Sequence, residues 1–135
     1  MSFGVFDRDG NLREERRAAI GHFHGGGMSR TRAVHEAGHY VAGRAVGASV
    51  AMRSDGNVDA FGLPNAQAQI VFLLAGGYAA GTGAGCGADN ANARAALNEY
   101  PPAQRSRVWR QAQAQARRIV AARRGEIDRL ARRYS

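Results

Sequence analysis

The residues best suited to chemistry in this chain are His35, Glu36 and His39, which form an H-E-x-x-H motif. On a helix, residues four apart lie one above the other, so His35 and His39 would offer two imidazoles to a single metal ion. Glu36 would lie one step round the same helix, where its carboxylate can hold a metal-bound water and take its proton. The motif therefore predicts a hydrolase with Zn2+ as its cofactor and Glu36 as its catalytic base.

A helix must carry this motif. Ser29 or Thr31 is suited to cap its start and Gly47 to end it, and small apolar residues recur beside the histidines at helical spacing, namely Val34, Ala37, Val41, Ala42 and Ala45. The alternative interpretation is two structural histidines and a solvent-facing glutamate. Packing alone does not require a glutamate between two histidines at metal spacing, so the metal site is the preferred prediction.

A β-hairpin should follow the motif helix. The segments 49–53 and 58–61 alternate in polarity around Asp55-Gly56, a strong tight-turn signal. In metalloproteases a strand edge near the zinc helix commonly binds extended substrate by main-chain hydrogen bonds. The hairpin is predicted either to present substrate in this way or simply to pack against the helix.

The rest of the chain is predicted to be helical. Asn65 should cap a buried helix that ends near Ala80 and packs behind the motif helix, because its run 70–75 has no polar face. Asp89 should open a helix that ends at the Pro-Pro pair after Tyr100. The fold class is therefore mainly α, a compact helical domain with one small β-hairpin beside the motif helix.

Residues 103–135 should form one long helix or two shorter ones with a break at Gly125. Trp109 is predicted to be a core residue rather than an exposed platform for bases. The apolar stripe comprises Val108, Ala112, Ala116, Ile119, Val120, Ile127, Leu130, Ala131 and Tyr134.

A zinc site needs a third protein ligand, which must lie beyond His39. Asp89 and Glu99 are the candidates, although Asp89 would also serve simply as a helix cap. His22 and His24 form an H-x-H pair in a glycine-rich stretch, where mobile surface side chains are a better interpretation than a second metal site. Cys86 is interpreted as a buried or incidental thiol rather than a nucleophile.

Composition narrows the function classes. The chain has 135 residues, one domain by size, and a single cysteine, which favours a reducing compartment. All nineteen basic residues are arginine, which excludes chemistry that needs a lysine: P-loop nucleotide binding, Schiff bases and Ser-Lys catalysis. The start of the chain lacks the order of a signal peptide, and the most apolar run is too short to span a bilayer. We expect a cytoplasmic protein without a membrane span.

The net charge of +8 is concentrated at the C-terminal end, because residues 101–135 hold ten arginines against Glu126 and Asp128. Such a surface is usually a solvated face, but it also suits nucleic acid, an acidic partner or an anionic membrane surface. The alternative function is therefore a non-enzymatic or inactive protein that binds nucleic acid or an acidic partner through its arginine-rich C-terminal helices.

Several segments together resemble the peptidase domain of the FtsH-type zinc metalloproteases. The motif run A-V-H-E-A-G-H resembles the A-x-H-E-x-G-H-A-x-V run of that family, and three later segments are similar to family segments, namely 74–77, 87–93 and 116–131. The resemblance implies that His35, His39 and Asp89 are the zinc ligands and that Glu36 is the general base. Glu99 remains the runner-up as third ligand.

The resemblance also implies an organisation for the whole chain. Residues 29–135 would form the peptidase domain, after a partly flexible N-terminal segment, residues 1–28. Family members carry an ATPase module and usually a membrane anchor, which we do not expect here, so the substrate would be flexible or unfolded polypeptide, or an ATPase or adaptor would act in trans. The family assembles as rings, which makes a homo-oligomer a further hypothesis. A bacterial or phage setting would suit such a protein.

Overall fold

The computed structural model describes residues 28–81 and 86–135, so the predictions for His22, His24 and nearly all of the segment 1–28 lie outside the described residues. Within the described part, five helices accompany one two-stranded sheet, and the predicted mainly α fold with one small hairpin is confirmed. No helix there is long and apolar enough to cross a membrane. The elements are α1 (Arg30–Ala45), β1 (Ser49–Met52), β2 (Val58–Phe61), α2 (Ala66–Ala80), α3 (Gly87–Ala96), α4 (Pro102–Ala122) and α5 (Arg124–Tyr134).

The motif helix α1 begins and ends where local signals predict. The side chain of Ser29 accepts a hydrogen bond from the backbone N–H of Arg32 at 3.2 Å, so Ser29 rather than Thr31 is the cap. Gly47, directly after the last helical turn, has φ of 94°, a left-handed conformation that glycine adopts without strain. Both ends of the helix are thus set by single residues with a clear physical role.

The two strands pair antiparallel, with Val50 opposite Ala60 and Met52 opposite Val58. Gly56 in the connecting turn has φ of 89°, as the Asp-Gly signal predicts. The predicted first strand was one residue too long, because the N–H of Arg53 already closes the turn by donating to the carbonyl of Asn57 at 2.7 Å. The guanidinium of Arg32 donates to the carbonyl oxygen of Asp55 and ties this turn to the first turn of α1.

Helix α2 lies at the centre of the fold, as its unbroken apolar run predicts. Asn65 caps it by accepting from the N–H of Ala68 at 2.8 Å. One side of α2 packs against α1, where Gly38 permits close approach: a Cβ at Gly38 would lie 2.6 Å from the Cβ of Ala79. The other side packs against α3 and α4 through Ile70, Val71 and Leu74. Because it contacts helices on both sides, α2 needs no polar face.

The predicted bounds of α3 are wrong at both ends. The helix begins at Gly87, so Asp89 lies in its first turn instead of capping it, and it ends at Ala96. A 3₁₀ turn, Leu97–Glu99, follows, and Tyr100 is extended because it precedes a proline. The side chain of Arg105 donates to the carbonyls of Leu97 and Tyr100 at 3.1 and 3.0 Å, and the Leu97 carbonyl also accepts from the N–H of Tyr100 at 3.0 Å. Hydrogen bonds from the next helix, eight and five residues along the chain, thus stabilise the end of this helical segment.

The C-terminal stretch forms two helices, but the break lies at Arg123 and Gly125 is inside α5. The break turns the chain so that α5 packs on α1 through Ile127, Ala131 and Tyr134. Burial of these side chains outweighs the weak local preference of glycine for a helix end. The predicted stripe is otherwise confirmed, with its members buried or half-buried. Trp109, predicted to be a core residue, is only half-buried.

Candidate metal centre

His35 and His39 on α1 and Asp89 in the first turn of α3 come together in one group. Among the described residues, it is the only cluster of three or more His, Cys, Asp or Glu side chains that could hold a metal ion. Two of the predicted ligands are separated from the third by fifty residues of chain, and the packing of α1 and α3 against α2 brings them together. Glu99, the runner-up ligand, is exposed on the 3₁₀ turn and is not part of the group.

The three ligand atoms form a nearly equilateral triangle. Asp89 Oδ2 lies 3.0 Å from His35 Nε2 and 3.0 Å from His39 Nε2, and the two Nε2 atoms are 3.0 Å apart. In a tetrahedral zinc site with bonds of about 2.0–2.1 Å, ligand atoms lie about 3.3 Å from one another. A small outward movement of the side chains would therefore give the spacing of three ligands on one zinc ion.

The tautomer of His39 is set by a backbone group. Its Nδ1 lies 2.8 Å from the carbonyl oxygen of Phe72, an acceptor that requires the proton on Nδ1. In the neutral ring, Nε2 then carries a lone pair that points at His35 and Asp89. Histidines that bind metals commonly donate their other N–H to a carbonyl in this way, because it orients the ring and increases its basicity.

The close approach of His39 and Asp89 is favourable only if a positive charge lies between them. A lone pair on His39 Nε2 and an ionised Asp89 oxygen repel one another at 3.0 Å unless a proton or a metal ion lies between them. Burial lowers the pKa of His39, but the hydrogen bond and charge of Asp89, with Glu36 and the Phe72 carbonyl, outweigh it and raise the pKa. Burial alone would raise the pKa of Asp89, yet its hydrogen bonds to His35 and His39 hold it well below its usual range. The group could therefore hold a metal ion in place of the shared proton.

Glu36 is buried beside this group, with 8% of its surface exposed. Burial raises the pKa of its carboxyl, and the nearby charges of His39, His35 and Arg32 only partly oppose the effect. A carboxylate with a raised pKa accepts a proton more readily near neutral pH, which suits a general base. The alternative of a solvent-facing glutamate is therefore not what the structure shows.

Two contributors to the site carry no side-chain signature that sequence reasoning could use. One is the carbonyl of Phe72 and the other is Gly76, which faces both imidazoles from α2. A Cβ at Gly76 would lie 2.4 Å from His39 Nε2 and 2.8 Å from His35 Nε2, so any other residue would displace the ligands. A glycine inside an otherwise apolar helix is the one signal that could have indicated this close approach.

Cys86, one residue before α3, does not offer a competing nucleophile. It is 7% exposed, and burial, with a smaller contribution from the charge of Asp89, raises the pKa of its thiol. Cysteine nucleophiles need a depressed pKa, since the thiolate is the reactive form. The interpretation of Cys86 as a buried thiol is confirmed.

Comparisons with protein-family models, with curated proteins and with solved structures find no match to this chain. The resemblance to FtsH-type peptidases therefore stays a prediction that rests on sequence motifs. The donor set of two imidazoles and one carboxylate, with a neighbouring carboxylate outside the set, is typical of catalytic zinc sites, in which a fourth position is left for water or substrate. The residues present thus fit a zinc ion.

Proposed function

We propose that this protein is a zinc-dependent metallopeptidase related to the FtsH-type peptidases, with His35, His39 and Asp89 as ligands and Glu36 as the general base. The observation that carries the proposal is the triangle of ligand atoms, each 3.0 Å from the other two, with His39 oriented by Phe72. A purely structural pair of histidines has no need to direct two ring nitrogens and a carboxylate at one point.

In the proposed peptide hydrolysis, each residue near the metal group has its own role. When bound, a zinc ion at this group would polarise the substrate carbonyl and lower the pKa of a water molecule. Glu36 takes the proton from the attacking water and returns it to the leaving amine. Phe72 holds the ring of His39, and Gly76 leaves the space that both imidazoles occupy.

The hairpin is positioned to present an extended polypeptide. Arg32 lies one helical turn before Glu36 and bonds the carbonyl of Asp55, so the hairpin turn approaches the same side of α1 as the catalytic carboxylate. A two-stranded sheet has outer edges whose backbone groups can pair with another strand. We infer that the substrate is flexible or unfolded polypeptide, delivered alone or by an ATPase or adaptor in trans, in a cytoplasmic setting. Self-association of the chain belongs to the same hypothesis.

Cleavage of an unstructured protein such as casein tests the proposal. Glu36→Gln should retain zinc, because Glu36 is not a ligand, and should lose cleavage, because an amide accepts no proton at neutral pH. Glu99→Gln is the matched control, since Glu99 is an exposed glutamate outside the group, and it should cleave like the native chain. Undiminished cleavage by Glu36→Gln would contradict the peptidase assignment.

A second candidate function rests on a separate observation. Eight of the ten arginines in α4 and α5 and the residue between them are exposed, against two half-buried acidic residues, which gives a surface that suits nucleic acid or an acidic partner. Association with DNA that weakens steeply with salt and is unchanged in Glu36→Gln, together with zinc content but no cleavage by the native chain, would favour this function over the peptidase.

A further inference from the structure

A groove separate from the metal group runs between α2, α3 and α4, with a volume of about 600 Å³. Helix α3 contributes residues to both the groove and the metal group, and α2 lies against both. Gly76 faces the imidazoles while the next residue, Gly77, lines the groove, and Asp89 belongs to the metal group while the next residue, Asn90, lines the groove. The volume is in the usual range for ligand-binding pockets.

Two arginine–aromatic stacks dominate the groove. The Cζ atom of Arg94 lies 4.5 Å from the ring centroid of Trp109, and the Cζ atom of Arg117 lies 4.8 Å from that of Tyr78. Stacking holds a guanidinium in place while its N–H groups, which point outward in its own plane, stay available for a carboxylate. No carboxylate of the described residues pairs with either arginine.

The other residues that line the groove indicate which kind of ligand it would bind. Leu73, with the exposed edge of the buried Leu74, supplies apolar surface, and Asn90 and Gln113 supply amides that can donate or accept hydrogen bonds. No acidic side chain is among the described residues that line the groove. An anionic group next to an apolar one would therefore match the groove. We propose that the groove binds an acidic segment of polypeptide, with a carboxylate on the stacked arginines and a neighbouring apolar side chain against the leucines.

The arrangement favours peptide over single-stranded nucleic acid. A base-stacking platform needs open aromatic faces, whereas one face of Trp109 and one face of Tyr78 already carry a guanidinium. The leucines add apolar surface, which an aliphatic side chain covers better than a charged sugar-phosphate backbone does. Charge and shape together point to an acidic, partly apolar peptide.

The groove can be a substrate-binding site only if the proposed peptidase function holds. Its ability to bind a peptide does not depend on that function. A helix is about 10 Å across, and an extended chain covers about 3.3–3.6 Å per residue. A peptide that reaches from the groove past α3 to the metal group thus needs only a few intervening residues. The groove would select substrates with an acidic residue a short distance from the cleaved bond.

Trp109 makes the test direct, because it is the only tryptophan in the chain. The full-length Glu36→Gln protein in EDTA is titrated with a tryptophan-free peptide that contains glutamates flanked by leucines, and Trp109 fluorescence is recorded. The peptide should change the emission in a saturable manner. The same peptide with glutamine in place of glutamate should bind at least about tenfold more weakly, because it lacks the charge that the arginines recognise. Equal binding of the two peptides would overturn the proposal.

Three variants then locate the binding. Arg94→Gln and Arg117→Gln should each weaken binding of the acidic peptide by at least about tenfold, whereas Arg110→Gln should not, since Arg110 is an exposed arginine of α4 outside the groove. Circular dichroism confirms that each variant is folded. An equal loss in all three variants would indicate general attraction to a basic protein and would overturn the site.

Two further outcomes separate this proposal from the peptidase assignment. If the acidic peptide binds in EDTA but the zinc-loaded native chain cleaves nothing, the groove proposal is supported and the peptidase assignment is wrong. If casein is cleaved but no peptide perturbs Trp109, the groove proposal fails alone. A short oligonucleotide that displaces the peptide and loses affinity on Arg94→Gln would show that the groove recognises nucleic acid instead.

Discussion

Helices α1 and α4 place their polar residues on opposite sides. On α1, His35, Glu36 and His39 point inward and are at most 8% exposed. On α4, valine and alanine point inward, and every arginine except the half-buried Arg105 is exposed. Burial of a polar group costs free energy unless it is paired, whereas an exposed arginine needs no partner. The buried histidines of α1 have such partners in Asp89 and Phe72, and the proposed zinc site lies at this paired group rather than at the exposed arginines of α4.

The largest effect should follow from removal of the proposed third ligand. Asp89→Ala should reduce zinc affinity by more than the 10–100-fold that is typical for loss of an outer-shell partner, because the proposal makes Asp89 a direct ligand. Isothermal titration against a competing chelator would measure it. Glu99→Ala is the control and should bind zinc like the native chain; the reverse pattern would make Glu99 the ligand.

The next effect concerns Gly76. Gly76→Ala places a methyl group on the two imidazoles, so it should both weaken zinc binding and destabilise the fold by about 1–3 kcal/mol through overpacking. Gly125→Ala is the matched glycine in α5, where the nearest atom is the flexible end of Arg129 at 3.4 Å. It should leave zinc affinity unchanged and stabilise the helix by about 0.5–1 kcal/mol. Chemical denaturation compares the two variants, and equal stability would contradict the close approach at Gly76.

The zinc affinity and the stability of the chain should both depend on pH through His39 and Asp89. The raised pKa of His39 means that, as pH falls, a proton competes for Nε2 earlier than at an ordinary histidine, so zinc affinity should fall by about tenfold per pH unit once His39 is protonated. Without metal, the stabilisation from His39 is full below the ordinary pKa of 6.5 and is lost as pH rises through the folded pKa. The stabilisation from Asp89 is present above the ordinary pKa of 3.8 and is lost in stronger acid.

The metal-free chain should therefore be most stable between these two ordinary values. Thermal unfolding in EDTA across the acid and neutral range checks this expectation. A stability that rises steadily from pH 5 to pH 8 would show that His39 and Asp89 do not interact as the structure indicates.

The smallest effect belongs to the outer face of α4. Arg118→Gln removes an exposed charge and should change the free energy of unfolding by no more than about 0.5 kcal/mol, with no change in zinc content. Denaturant unfolding measures the first quantity and elemental analysis the second. A large loss of stability would mean that the arginine face has a structural partner.

The fold was predictable where local chemistry decides it. Ser29 and Asn65 cap helices because their side chains bond nearby N–H groups, and the apolar run of α2 implies a buried helix. The end of α3 and the break at Arg123 were not predictable, since side-chain hydrogen bonds from Arg105 accompany the first and the packing of α5 on α1 accompanies the second. Local patterns carry no information about such contacts.

The candidate site also contains some residues that the sequence predicts and others that it does not. His35, Glu36 and His39 follow from their spacing, and Asp89 follows from the need for a third ligand and from the resemblance to a family. The carbonyl of Phe72 does not follow, because every residue has one, and only the packing of α1 on α2 selects it. The groove of Arg94 and Trp109 is assembled from three helices, so no single stretch of sequence indicates it.

A crystal structure of the zinc-loaded protein, with anomalous scattering recorded at the zinc edge, tests the central claim most directly. The account predicts one anomalous peak within about 2.0–2.2 Å of His35 Nε2, His39 Nε2 and an Asp89 carboxylate oxygen, with the carboxylate of Glu36 close by but not bound. A peak that lacks Asp89, or no peak between the two histidines, would contradict it.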